Sequence, residues 1–147
     1  MVTVSERGKI TVEELRYLSI FQEFTGAMAY RCIVDKEGGR LIFLVDSADL
    51  GRAIGKKGSN VKLLSRLFNK NVEIVEYASD LEGMIKNLFP GVKILNIHVT
   101  SRGDEKMVTI KVAEEDKGKA IGRDGKNVKR ARLVLSEIFG VSKVSIK

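Results

Sequence analysis

Twelve residues, Gly51-Arg52-Ala53-Ile54-Gly55-Lys56-Lys57-Gly58-Ser59-Asn60-Val61-Lys62, return without a gap as Gly118-Lys119-Ala120-Ile121-Gly122-Arg123-Asp124-Gly125-Lys126-Asn127-Val128-Lys129. The copies agree at every glycine, at the Ala-Ile pair and at Asn-Val-Lys, and they exchange like charge at Arg52/Lys119 and Lys56/Arg123. Self-similarity of this kind marks a duplicated structural unit. In a chain of 147 residues it divides the sequence into two domains, 1–77 and 79–147, with Ala78 as the joint. Units that small bury a marginal core alone, so the two are expected to lean on each other in nearly fixed relation.

Hydrophobic patterning supplies the rest of the first unit. Met1–Ile10 reads as a lead-in with a short strand at Val2-Thr3-Val4. Thr11 and Glu14 have the spacing of a capping box. Leu15, Leu18, Phe21 and Phe24 follow at three-residue steps until Gly26 stops the helix. Ala27–Val34 reads as a strand with Tyr30, Cys32 and Val34 on one face, and Leu41–Val45 as a wholly apolar strand at the centre of a sheet. Asp49 is placed to cap a short helix carrying Leu50, Ala53 and Ile54. A longer helix starts near Ser59, with Val61, Leu64, Leu67 and Phe68 as its buried stripe, and Val72–Tyr77 closes the sheet.

The second half replays this order. Ser79-Asp80-Leu81-Glu82 has capping-box spacing, Leu81, Met84, Ile85, Leu88 and Phe89 form a stripe, and Pro90-Gly91 ends the helix. Strands are expected at Lys93–Val99 and Met107–Val112 around a turn at Ser101–Asp104. Val128, Ala131, Leu135 and Ile138 make the last helical stripe, before a strand at Val141–Ile146. Each unit therefore runs α-β-β-α-turn-α-β.

Composition narrows the function. Lysines and arginines outnumber acidic residues 26 to 19, a formal charge of +7, which attracts polyanions. The longest apolar run, Leu41–Val45, is far too short to span a bilayer, and the polar start has no signal-peptide core. A soluble, cytoplasmic protein with no membrane partner is expected. Cys32 is the only cysteine, which excludes an intrachain disulfide and a thiolate metal site; it reads as a small buried apolar residue. His98 falls with Asn96 and Thr100 on the polar side of its strand and reads as solvent-facing. Gly51–Lys57 misses the phosphate loop of nucleotide hydrolases, because the glycines stand one residue too close and Lys57 replaces the hydroxyl residue that would hold magnesium. With no Ser/His/acid or His/carboxylate set either, no catalytic residue, metal, cofactor or small-molecule substrate is expected. The phenylalanines sit on helical stripes as core, and the lack of tryptophan and of an exposed aromatic cluster argues against binding dominated by stacking.

The repeated turn has its own chemistry. A helix that begins just after glycine presents unpaired N–H groups and the positive end of its dipole. Glycines on both sides let a phosphodiester approach the main chain. Lys56-Lys57 and Arg123-Asp124 project between them, and Ile54 and Ile121 offer an apolar floor for bases. Asp124 repels phosphate, so the first turn is expected to grip more strongly than the second.

Ile-Gly-x-x-Gly between two helices, flanked by strands, resembles the KH domain, whose GxxG loop clamps about four unpaired nucleotides. A helix and strand ahead of that core resemble its second, prokaryotic type. Two such domains joined without slack, the second carrying Ala120–Val128, resemble the tandem KH region of the NusA family, in its short archaeal form. The resemblance implies an α+β fold of two type II KH domains, each a three-stranded mixed sheet with helices packed on one face. It also implies a non-enzymatic binder of single-stranded RNA, acting on nascent transcripts in termination or antitermination, with RNA polymerase as a further partner. The residues it assigns to RNA are Ile54, Gly55, Lys56, Lys57, Gly58, Asn60 and Lys62 in the first unit. In the second they are Ile121, Gly122, Arg123, Asp124, Gly125, Lys126, Asn127, Lys129 and Arg130. Asn60 and Asn127 have a competing reading as struts for the backbone at the helix start. Three other functions stay open: a KH protein of ribosomal or RNA-processing complexes, a single-stranded DNA binder, and a protein-docking scaffold with little RNA binding. Crosslinking in cells, competition between matched oligonucleotides, and charge reversal at both turns separate them.

Overall fold

A computed structural model describes residues 9–147, which fall into two compact units divided between Ala78 and Ser79. The lead-in strand expected at Val2–Val4 lies outside the described residues. The first unit runs α1 (Val12–Thr25), β1 (Ala29–Asp35), β2 (Arg40–Val45), α2 (Leu50–Ile54), α3 (Ser59–Phe68) and β3 (Asn71–Glu76). The second runs α4 (Leu81–Leu88), β4 (Ile94–Arg102), β5 (Glu105–Val112), α5 (Lys117–Ile121), α6 (Lys126–Phe139) and β6 (Lys143–Ile146). Each is an α+β unit with one mixed three-stranded sheet. β2 pairs antiparallel with β1 and parallel with β3, and β5 stands in the same relation to β4 and β6.

β2 is central and all six of its residues are buried, as its unbroken apolar run implies. Leu41, Phe43 and Val45 face the helices and join Phe21, Ala53 and Leu64 in one core. Phe21 stacks on Phe43 with ring centroids 4.3 Å apart. Cys32 is buried in the same core, and burial pushes its thiol pKa up, with the carboxylate of Glu14 adding to the effect; the neutral thiol behaves as an apolar side chain.

Several local expectations are corrected. In α1 the buried positions are Glu14, Phe21 and Thr25, while Leu15 and Phe24 are exposed. Three-residue steps rotate backwards by roughly 60° each in a helix of 3.6 residues per turn, so a run of them leaves the core face at both ends. Thr11 does cap α1, accepting the Glu14 N–H at 3.1 Å. The Glu14 side chain does not close the box. It turns to β1, where its carboxylate accepts from Arg31 Nε at 2.6 Å, Arg31 Nη2 at 3.0 Å and the Cys32 N–H at 2.9 Å. A buried carboxylate gains more from a guanidinium and an edge-strand amide than from one free helix amide.

Tyr30 does not share a face with Cys32 and Val34. The β1–β2 register slips between Ala29 and Arg31, and this bulge leaves Tyr30 51 % exposed; an extra residue in one strand re-aims its side chain. Tyr30 there meets Tyr77 with centroids 4.5 Å apart, so the surface does carry an aromatic pair. In α3 the buried stripe is Val61, Leu64 and Phe68, while Leu67 points outward beside Leu63. The cap before α2 is Asp46, whose carboxylate accepts the Ala48 N–H, rather than Asp49. The cap of α4 is Asp80, accepting the Gly83 N–H at 2.8 Å, one residue beyond Ser79. The β4–β5 hairpin turns through Gly103-Asp104 alone, with Arg102 paired to Glu105, so both strands are longer than expected.

Candidate nucleic-acid interface

The two glycine turns have one backbone conformation. Gly55 ends α2 at φ 78°, ψ 166°, and Gly122 ends α5 at φ 79°, ψ 170°, a region that essentially only glycine occupies. A Cβ on Gly55 would lie 2.8 Å from the Asn60 amide nitrogen, and one on Gly122 would lie 2.8 Å from Asn127 Nδ2. The first glycine is therefore required twice over, by torsion and by space. Lys57 (φ 56°) and Asp124 (φ 57°) are left-handed, as are Gly58 and Gly125 at φ 74°. α3 and α6 then begin with glycine at the cap position and no side-chain cap. The first amide of each is taken within the turn, Ser59 N–H donating to the Lys56 carbonyl and Lys126 N–H to the Arg123 carbonyl, and the positive end of each helix dipole lies at the turn without a side-chain cap.

Asn60 and Asn127 hold this geometry in place. Asn60 Nδ2 donates to the Arg52 carbonyl at 2.8 Å, and Asn127 Nδ2 donates to the Lys119 carbonyl at 2.9 Å. Each strut ties the start of the second helix to the helix before the turn, the competing reading named above.

A second duplicated device was missed in the sequence. Asp49 Oδ2 accepts the Met28 N–H at 3.2 Å while Arg52 Nη1 donates to the Gly26 carbonyl at 3.0 Å. In the second unit Asp116 Oδ2 accepts the Lys93 N–H at 2.8 Å and Lys119 Nζ donates to the Gly91 carbonyl at 3.1 Å. In both units the loop entering the edge strand is thus strapped beside the helix that carries the GxxG turn. The signal was available: Asp49 and Asp116 keep the repeat's spacing two residues ahead of its first glycine.

The assigned side chains are not equivalent. Lys56, Lys57, Arg123 and Asp124 are exposed on the turns, and Lys62, Lys126 and Lys129 are exposed on the helices that follow. Ile54 is half-buried, whereas Ile121 is 41 % exposed. Arg130 stands apart from these, half-buried, with Nη2 donating to the Leu88 carbonyl at the end of α4 at 3.0 Å. Asp124 occupies the left-handed position, which aspartate tolerates better than most residues; that is a conformational reason for a carboxylate in a basic turn. Among the described residues no group of His, Cys, Asp and Glu could hold a metal ion, and no helix is long and apolar enough to cross a membrane.

A fold of α-β-β-α-GxxG-α-β, repeated once, defines a tandem KH protein. The family profile described as "KH domain" matches residues 14–102, and that described as "NusA-like second KH domain" matches residues 81–142. The "Probable transcription termination protein NusA" of Methanococcus vannielii is 32% identical over 95% of this chain and 80% of its own length. The protein of the same name from Methanocaldococcus jannaschii is 30% identical over 94% of this chain and 74% of its own length. Among solved structures, the crystal structure of APE1850 superimposes with a TM-score of 0.90 at 62% identity, covering 94% of this chain and all of that one. The chain belongs to the NusA-like family of KH proteins.

Proposed function

We propose that this protein binds single-stranded RNA through its two GxxG turns and acts on nascent transcripts in termination or antitermination. One observation carries the reading: the same glycine conformation occurs twice, each time leading into a helix with no side-chain cap beside exposed cations. A helix start without a side-chain cap and the positive end of its dipole suit a phosphodiester, and glycine removes the Cβ that would hold the backbone away. Each turn takes about four nucleotides, with Lys56, Lys57 and Arg123 on phosphates and Ile54 and Ile121 under bases. The names of the archaeal relatives support the transcriptional role, and RNA polymerase is the partner that role brings with it. Arg130 is left out of the phosphate track, since its guanidinium is occupied at the end of α4.

The test is equilibrium binding of a short unstructured RNA across a salt series. Replacing Lys56 and Lys57 with aspartate is expected to weaken binding and flatten the log–log salt slope, because fewer counterions are released per phosphate contact. An unchanged affinity and slope would overturn the clamp.

A further inference from the structure

We propose that the outer face of the second sheet is an additional contact for the RNA phosphate backbone, separate from the glycine turns; this rests on RNA being the partner. Val108, Ile110, Val112 and Val144 are buried on the helix side of that sheet. Strand alternation therefore sets the intervening residues on the other face. There Arg102, Lys111 and Lys143 are all exposed, with His98 between them and Glu105 as the opposing carboxylate. Asn96 pairs across to Lys111, and Thr109 lies between His98 and Ser145, so amide and hydroxyl donors fill the gaps between the cations.

The first unit uses the same face differently. Ile33, Ile42, Leu44 and Val75 are buried there, and its guanidinium, Arg40, is closed by Asp35 at 2.6 Å and Glu73 at 3.4 Å. Duplication supplied one sheet, and its outer face has become cationic and open in one copy alone. A protein-docking face would need apolar or aromatic anchors at its centre, and this one offers the half-buried Met107 there, with the exposed Leu95 only at its margin, in the β4 bulge. Lysine, arginine, hydroxyl and amide donors together are the set that contacts phosphate and sugar. Length then separates the two sites: a segment that fills the turns ends there, whereas a longer RNA can continue onto the sheet.

The experiment measures binding of the full chain to an unstructured RNA of about eight nucleotides, about four per turn, and to a several-fold longer RNA containing it. Lys111→Gln with Lys143→Gln is expected to leave the short RNA unaffected. The same pair should weaken the long one several-fold and lower its log–log salt slope by about 1.4, at about 0.7 per phosphate. Glu105→Gln should strengthen the long RNA alone. Parental affinity and slope for both RNAs would overturn the proposal. So would a sheet variant that keeps both RNAs but loses an acidic protein partner. If the Lys56/Lys57 variant keeps the short RNA while the sheet variant loses the long one, the sheet contact stands and the reading of the turns fails.

Discussion

Laid side by side, the two glycine turns differ by no more than a few degrees in the torsions of their glycines and of the residue between them: Lys57 sits at φ 56°, ψ 30° and Asp124 at φ 57°, ψ 24°. Their side chains differ far more. The first turn places two lysines outward, the second an arginine and an aspartate. The conformation is held by parts outside the variable positions, namely the glycines and the asparagine strut, so the charge between them is free to change. At the left-handed position the trade has a direction. Lysine is strained there by roughly 1 kcal/mol or more, and aspartate by less. The first turn accepts the strain and gains a cation; the second relieves the strain and gives the cation up. The scaffolds differ as well. The first unit buries Glu14–Arg31 and Asp35–Arg40 pairs, whereas the Glu82–Lys86 and Glu114–Lys117 pairs of the second lie in solvent.

The largest effect expected from that difference concerns stability. Glu14→Ala removes the buried carboxylate that pairs with the largely buried Arg31 and accepts the Cys32 N–H, and should destabilise the first unit by about 3 kcal/mol, read by denaturant unfolding. Glu82→Ala should cost well under 1 kcal/mol; similar losses would erase the contrast between scaffolds. Next come Gly55→Ala and Gly122→Ala, each expected to cost about 3 kcal/mol through torsional strain and a buried clash. Because the turns share a backbone, a large difference between these two would break the comparison at its root. Exchanging Lys56 and Lys57 for aspartate should weaken RNA binding on the order of a hundredfold, against about tenfold for Arg123→Ala, at about 1.4 kcal/mol per contact. Equal or reversed losses would show that the second turn grips as firmly as the first. The smallest effect is a gain: Asp124→Asn keeps the tolerance for left-handed backbone, removes the repulsion, and should tighten binding by about two- to threefold, since an exposed charge is worth well under 1 kcal/mol.

The features visible in the sequence are those fixed by neighbours in the chain. The apolar run at Leu41–Val45 can only be a buried central strand, and Gly55 and Gly58 announce the turn, the first because essentially only glycine accepts its torsions and the second because left-handed backbone favours glycine. Thr11 and Gly26 bound α1 from local hydrogen bonding alone. What stayed hidden depends on residues distant in the chain. Glu14 leaves its capping box because Arg31, on another element, offers a stronger partner. Tyr30 is turned out by a slip in pairing with β2, and nothing in its own strand announces that. Arg52 and Lys119 show in the sequence only as a like-charge exchange within the repeat, yet each holds a loop carbonyl far away in sequence. The different fates of the two outer sheet faces became visible only once strand register gave every residue a side.

The most direct test of the central claim follows the backbone amides of the isotope-labelled chain by NMR during titration with an unstructured RNA of about eight nucleotides. The largest perturbations should fall on Asn60 and Val61 and on Asn127 and Val128, in the first turns of α3 and α6 where no side chain caps the helix, with the first set responding at lower RNA concentration. Perturbations confined to other surfaces, with both helix starts silent, would contradict it.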